Sequence, residues 1–463
     1  MTSLAPYGRE HRVRGMAVKG ITFFIMKKQR REIVLTFEKM AGEGKALGHD
    51  GGKVIFCHGV LPGEMARVIT TYEKKNFAEA DLLEIITPSP KRVEPKESHY
   101  LNCSPWQTME YGFQLETTQK LMEEAFAQTM KNPPAIDKFY AAPQLFGYRT
   151  KVEYSFDGEP GNMTLAFHKR GNWWQRIALE DGCALVGGKS NAAAMAVLKT
   201  INETRLSPSD LKTLIIRETK YTGECVAALY VTREDIDFPL PEIKGENGGN
   251  SVFDGFMLVY SDPKISSSVN TKIRKQAGKD YLTEEILGKI ISFGFDCFFQ
   301  NNIALFTEAL KEMKAATFPC NKLADLYSGV GIIGLSIGDC AKEILSIEAA
   351  QSSAKYAEMN AAANGVKNYR HICSMTEKAD AALLVGTEIL VVDPPRSGLA
   401  PKVISHLLEK LMPKRIIYLS CNPITQGRDA ELLLQKYSII RCAGFDFYPN
   451  TPHTESLMIF DRK

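Results

Sequence analysis

No CxxC pair occurs in the 463 residues, although the chain holds ten cysteines, at 57, 103, 183, 225, 297, 320, 340, 373, 421 and 442. Scattered thiols of this kind argue against a disulfide scaffold and a zinc cluster, and they fit a reducing compartment, the cytoplasm. Long apolar runs are also missing. None approaches the roughly 20 residues that cross a bilayer, so no membrane role is expected. A strong charge imbalance is missing too. With 57 Lys and Arg against 54 Asp and Glu, the net charge is +3, which permits a nucleic-acid partner without arguing for one. There is no internal repeat and no low-complexity tract. Hydrophobic residues make up 44% of the chain, ample for a core, and the length suits two or three domains.

Charge does concentrate at the start. Residues 1–31 carry Arg9, Arg12, Arg14, Lys19, Lys27, Lys28, Arg30 and Arg31 against the single acid Glu10. The apolar stretch Ile21 to Met26 has no small-residue cleavage site after it, so no signal peptide is read. Two readings stand. One is a disordered basic arm or an over-extended start with Met26 as initiator. The other is an electrostatic arm for RNA.

Residues 32–92 read as a small β-barrel. Its strands are Glu32–Phe37, Lys53–Phe56, Glu64–Thr71 and Ala78–Ile86, broken by turns at 42–44, 48–52 and Pro62-Gly63. Tyr72-Glu73-Lys74-Lys75-Asn76-Phe77 sets lysines beside aromatics. That is the mix of a nucleic-acid platform and equally of a solvated hairpin tip. Residues 93–284 read as a mixed α+β region, with a helix from about Met109 to Met130. Its strands are Lys151–Phe156, Thr164–His168, Leu214–Glu218, Glu224–Tyr230 and Met257–Tyr260, and a turn falls at 246–250. From 285 to 463 apolar strands alternate with helices. The strands are Lys322–Leu326, Glu343–Ile347, Ile389–Val392 and Arg415–Leu419. The helices are Ile303–Ala315, Ile333–Ile337, Ser352–Asn364, Pro401–Leu408 and Ile424–Tyr437. This is the pattern of a parallel α/β sheet covered on both faces.

Asp325-Leu326-Tyr327-Ser328-Gly329-Val330-Gly331 follows a strand and opens a helix. Glycines there let backbone approach a ligand and free helix N-terminal amides. Glu348 ends the next strand, at the spacing of a ribose-binding carboxylate. No Walker lysine follows, so a nucleoside cofactor fits better than a P-loop phosphate. Asp393-Pro394-Pro395-Arg396 ends a third strand, where Asp393 faces the crevice or merely closes a turn. Cys421 ends a fourth strand at the same edge, before Asn422-Pro423. A helix N-terminus beside it would favour the nucleophilic thiolate, whereas Cys297, Cys320, Cys340 and Cys373 read as buried structural thiols. Pro449 to Glu455 is a proline-bounded loop that either holds Glu455 over the site or leaves it as a surface acid.

With these motifs in order, the chain resembles the RNA uracil-5-methyltransferases, and the likeness covers nearly everything beyond residue 31. The resemblance implies a class I Rossmann-like methyltransferase domain at 285–463, a mixed central domain, and an OB-like TRAM barrel. Gly42-Glu43-Gly44 and Leu61-Pro62-Gly63-Glu64 match that barrel. The barrel points to the 23S ribosomal-RNA branch. Phe298-Phe299-Gln300-Asn301-Asn302 resembles the family's FFQxN segment. The implied cofactor is S-adenosyl-L-methionine, held by Gln300, Tyr327, Glu348 and Asp393. The implied nucleophile is Cys421 and the implied base Glu455, which would lie over the uracil face opposite the thiol. A monomer acting on RNA follows.

The chain departs from the family in three places. Where many members hold an iron–sulfur cluster on four cysteines, Cys103-Ser104-Pro105-Trp106 keeps only the first thiol of a CGGC segment. Cys183 has too few partners, so no metal is expected. Ser328 stands where Cys is common. Ser374-Met375 stands where an acid often touches adenine. The competing readings are a transfer-RNA enzyme of the same mechanism and a non-catalytic RNA-binding protein. A DNA cytosine-5-methyltransferase would want a Pro-Cys nucleophile on an earlier loop, which is absent.

Overall fold

The computed structural model describes residues 30–244, 251–265 and 267–463. Nearly all of the basic start and the whole turn expected at 246–250 lie outside the described residues. The described residues divide into two compact units, one of residues 30–40 and 45–90, the other of 41–44 and the described residues from 91 to 463.

The first unit is a closed barrel in the order β1-β2-β3-β5-β4. Its strands are β1 (Glu32–Met40), β2 (Ala46–Asp50), β3 (Lys53–Cys57), β4 (Met65–Glu73) and β5 (Phe77–Thr87). The expected turn at 48–52 shrinks to Gly51 and Gly52, the two residues there with positive φ. Gly48 belongs to β2 because a Cβ there would lie 2.7 Å from the Thr36 carbonyl. Its glycine serves the close approach of β1 and not a bend. Glu64 explains the Leu61-Pro62-Gly63-Glu64 motif. Its buried carboxylate accepts from the Leu61 amide at 2.7 Å and the Ser89 amide at 3.0 Å, locking the loop before β4 to the end of the barrel. The run at 72–77 forms the β4–β5 turn, with the Lys74 ammonium 5.7 Å from the Tyr72 ring and 5.5 Å from the Phe77 ring.

The second unit begins with α1 (Tyr100–Cys103), α2 (Tyr111–Thr129) and β6 (Lys138–Tyr140). A seven-stranded sheet follows, ordered β13-β12-β11-β10-β7-β8-β9. It is built from β7 (Lys151–Glu159), β8 (Asn162–Lys169), β9 (Asn172–Ala178), β10 (Leu211–Glu218), β11 (Cys225–Val231), β12 (Gly255–Tyr260) and β13 (Lys272–Gly278). The helix α3 (Gly188–Thr204) sits between β9 and β10 in the chain and buries Ala193, Val197 and Ile201. A hairpin of β14 (Tyr281–Ile286) and β15 (Lys289–Gly294) leads on to α4 (Ile303–Ala315).

The doubly wound sheet then forms from β16 (Cys320–Leu326), α5 (Ile332–Ile337), β17 (Ala341–Glu348), α6 (Gln351–Ala363), β18 (Tyr369–Cys373), β19 (Ile389–Val392), α7 (Pro401–His406), β20 (Arg415–Ser420), α8 (Pro423–Leu433), β21 (Tyr437–Phe445) and β22 (Glu455–Arg462). The strand order is β18-β17-β16-β19-β20-β22-β21-β6. Strands β16 to β20 run parallel, as their unbroken apolar character demands. Only β22 runs against β20 and β21. The outermost strand, β6, comes from inside the span 93–284 that the sequence pattern sets apart. At three residues it is too short to announce itself. Among the described residues no helix is long and apolar enough to cross a membrane.

Candidate functional site

Parallel strands present their carboxyl ends at one edge of an open sheet, and ligands of such folds bind beyond that edge. Here β16 ends at the glycine loop, β17 at Glu348, β19 just before Asp393, and β20 just before Cys421. The antiparallel strand β22 begins at Glu455 at the same edge. Ser420 pairs with Ser456, so Cys421 and Glu455 each stand one residue beyond the last rung of that ladder. The apolar runs set the edge, and the polar residues after them are left to do chemistry.

The glycine loop differs from expectation in one respect. Three of its amides are engaged within the protein. The Ser328 amide donates to the Ile347 carbonyl, the Gly331 amide to the Ser328 carbonyl, and the Gly329 amide to Glu348 Oε2 at 3.1 Å. Glu348 Oε1 accepts from Ala350 at 2.7 Å, so the carboxylate is fixed from both sides. The loop needs left-handed backbone at Tyr327, Gly329 and Gly331, with φ of 61°, 56° and 86°. For Tyr327, a side-chain-bearing residue, this is strain. Burial pushes the Tyr327 phenol up to about 12. Ser328 is tied through Ser346, whose hydroxyl donates to it at 2.6 Å. Ser374 donates its amide to the Glu348 carbonyl, while Met375 is exposed.

Gln300 is 6% exposed and lies 3.4 Å from Asp393, its Nε2 donating to Oδ2. Its Oε1 is buried with no partner. Asp393 is pushed up to about 7 by burial. Asp325, fully buried beneath the loop, is also pushed up to about 7, first by burial and then by the charges of Asp393 and Glu348, although the Gly334 amide donates to it. Glu455, 4% exposed, is held well above the usual carboxylate range by burial and by Asp393. Three crowded carboxyls of raised pKa want a cation beside them.

Cys421 corrects one expectation. The helix behind it is present, with Asn422 as N-cap accepting from the Ile424 amide. Yet burial pushes the Cys421 thiol up to about 12, and Glu455 and Asp393 add to it. Burial and two neighbouring acids outweigh a helix end whose worth is about 1 kcal/mol. The nearby positive charge that opposes them is Arg396.

Arg396 has no role that the sequence pattern alone assigns. Its carbonyl accepts from Asn422 Nδ2 and Thr425 Oγ1, so the 393–396 loop is docked onto the start of α8. Arg428 and Asp429 brace the same loop. Arg428 donates to the Ser397 carbonyl, while Asp429 accepts from the Leu399 amide and the Tyr418 hydroxyl. Arg149, in the loop before β7, also escapes the sequence pattern; only its place in Phe146-Gly147-Tyr148-Arg149 could have hinted at it. It lies 5.9 Å from the Tyr448 ring, and its charge joins those of Arg396 and Arg170 in lowering His453. Burial is the larger cause, and His453 falls to about 4, a neutral imidazole.

The loop carrying His453 and Glu455 is held by more than its prolines. Asn450, at φ 66°, exchanges hydrogen bonds with Gln114 of α2. The Trp106 amide donates to the Asn450 carbonyl, and the Tyr148 hydroxyl to the Pro449 carbonyl.

Comparison with known proteins agrees with this architecture. The sequence model of the tRNA (Uracil-5-)-methyltransferase family matches residues 264–463. An uncharacterized RNA methyltransferase of Prochlorococcus marinus is 31% identical over 423 residues, covering 87% of this chain and 99% of the relative. Another, from Caldanaerobacter subterraneus, is 27% identical, covering 93% of this chain and 98% of the relative. The crystal structure of Pyrococcus abyssi tRNA (uracil-54, C5)-methyltransferase with S-adenosyl-L-homocysteine superposes with a TM-score of 0.75 at 22% identity. It covers 92% of this chain and 100% of that one.

Proposed function

The chain belongs to the RNA (uracil-5-)-methyltransferase family, and from that premise we propose that it methylates C5 of a uridine in 23S ribosomal RNA through a covalent bond to Cys421. The observation that carries the reading is the convergence of Cys421, Glu455, Asp393 and Gln300 at one sheet edge, with Arg396 beside the thiol.

The residues fit S-adenosyl-L-methionine. Gln300 Oε1 is a buried acceptor without a partner, and the raised carboxyls of Asp393 and Glu455 suit a cation. Glu348 would accept from the ribose, Tyr327 would border the nucleoside, and Gln300 and Asp393 would face the charged end. Bound there, the cofactor supplies an electrophilic methyl group. A cation near Asp393 would also offset one of the two acids that hold the thiol up, and Arg396 would then favour the thiolate.

C5 of uracil is too weak a nucleophile to take the methyl unaided. The Cys421 thiolate forms a bond to C6, and the electron pair of the C5=C6 bond moves toward C5 and the C4 carbonyl. C5 takes the methyl group. Glu455 accepts the C5 proton, and the electrons left behind expel the thiolate. A base of raised pKa matches that proton transfer near neutral pH, whereas His453 at about 4 is a poor acceptor. The base must leave its stack to be reached, and Phe298, 67% exposed and two residues from Gln300, offers a stacking face. The barrel, with Lys74 and Lys75 at a turn, is read as an RNA-binding TRAM domain.

Transfer RNA is the second reading. The Pyrococcus abyssi enzyme, named for its action on tRNA uracil-54, is covered over its full length by this chain. Mapping 5-methyluridine in total RNA with and without the gene separates the two. Loss from 23S RNA alone supports the first reading, loss from tRNA alone the second, and no loss contradicts both.

A further inference from the structure

Far from the thiol at 421 in sequence, four metal-binding donors meet. Glu97, His99, Cys103 and Cys183 each place one ligand atom within 4.8 Å of all the others. They come from the segment before α1, the end of α1, and the connection from β9 to α3. His99 Nε2 is 3.2 Å from Glu97 Oε1, and Cys103 Sγ is 3.8 Å from Glu97 Oε2. Donors around a tetrahedral zinc ion stand roughly 3.3–3.8 Å apart, given bond lengths of about 2.0–2.3 Å. The group needs only to contract slightly. We propose that these four residues form a mononuclear, tetrahedral metal site of the zinc class, with two thiolates, one imidazole and one carboxylate.

Two observations stand beside the spacing. His99 is 6% exposed, and its buried Nε2 makes no hydrogen bond of good geometry although Glu97 Oε1 lies 3.2 Å away, so a basic nitrogen faces the other donors with its lone pair unspent. The carboxylate is held in place from behind. Glu97 Oε2 accepts from Gln107 Nε2 at 2.7 Å, and Glu97 Oε1 from the Ala184 amide. Gln107 is itself fixed by the Lys96 amide and Ser104 Oγ. Partners that orient a ligand in this way mark built metal sites.

The donor set does not suit a four-thiolate iron–sulfur cluster. Only two sulfurs are present, and Trp106, where a further thiol would stand, is buried with its Nε1 donating to the Gly44 carbonyl. A soft–borderline S2NO set in a tetrahedral frame suits zinc. All four positions are filled by protein, so the site is structural. It clips the segment before α1 to residues 183–186. The Leu185 carbonyl there accepts from the Arg149 amide, and Thr150 Oγ1 donates to the Gln300 carbonyl. The clip therefore braces the loop that carries Arg149 and supports Gln300.

The test uses the full chain purified under reducing conditions. Elemental analysis should find one zinc per chain and no acid-labile sulfide. Metal-stripped protein given cobalt alone should show the visible bands of a tetrahedral thiolate site. Cys103→Ser and Cys183→Ser should lose the bands, and Cys373→Ser, at an exposed thiol, should keep them. Gln107→Ala leaves every donor in place, so it should still fold, and it should weaken zinc binding roughly 10-fold or more. Stripped wild-type protein that takes up neither zinc nor cobalt would overturn the proposal. So would iron with sulfide, a Cys103–Cys183 disulfide in reduced protein, or unchanged zinc affinity in Gln107→Ala.

Discussion

Cys421 follows Ser420 and Glu455 precedes Ser456, the last pair of the antiparallel β20–β22 ladder, and the Glu455 charge raises the Cys421 thiol. The carboxyl and the thiol therefore act on each other through their charges. After burial, the Glu455 charge is the largest influence that raises the thiol, and the thiol cannot ionise without regard to it.

This coupling is measurable without RNA. The rate of Cys421 alkylation should rise with pH, with a midpoint far above that of an ordinary thiol. Glu455→Gln removes a negative neighbour, so the midpoint should fall. A drop of about one pKa unit would speed alkylation about 10-fold at a fixed lower pH. An unchanged profile would mean that the two groups do not sense each other.

Glu455→Gln should also stall turnover at its last stage. Addition and methyl transfer precede proton removal, so a methylated covalent protein–RNA complex should accumulate with ordinary RNA. A cofactor ligand lost at this position would give no methylated adduct. Turnover near the wild-type rate would leave Glu455 without the base role.

Asp393 couples stability to pH. Its carboxyl is near 7 in the folded chain against an ordinary value of 3.8, so folding takes up a proton between those limits. Cofactor-free stability should therefore fall as pH rises from about 4 through about 7. Asp393→Asn should flatten that fall and raise the melting temperature above neutral pH, while binding S-adenosyl-L-methionine at least about 10-fold more weakly. A steeper pH dependence in the variant would refute this assignment of the charge.

The barrel turn at 72–77 supplies a graded test of RNA binding. Lys74→Ser with Lys75→Ser should weaken binding of long RNA and lower the salt slope by roughly one for each phosphate that is no longer neutralised. Cofactor affinity should not change. Equal slopes would leave the solvated-tip reading of this run.

Much of the sheet was legible because its strands are unbroken apolar runs and its polar residues follow them directly. Ile389–Val392 and Ile303–Ala315 fall where the sequence pattern sets them. Strand β2 was not legible, because Gly48 reads as a turn until the closeness of Thr36 is known. The Gly329 and Ser328 amides of the glycine loop are spent on Glu348 and Ile347, a fact of tertiary packing. Counting thiols hid the cluster at Glu97, His99, Cys103 and Cys183. A carboxylate and an imidazole carry no metal signal until the fold brings them within reach of sulfur.

The central claim is a covalent bond between Cys421 and the uridine ring. Wild-type protein incubated with S-adenosyl-L-methionine and 5-fluorouridine-substituted 23S RNA should form a stable complex, because fluorine at C5 blocks the final elimination. Peptide mass spectrometry should locate the nucleotide on Cys421, and Cys421→Ala should give no complex while still binding RNA within a few-fold. A nucleotide carried by any other residue, or a complex that persists in Cys421→Ala, would contradict the account.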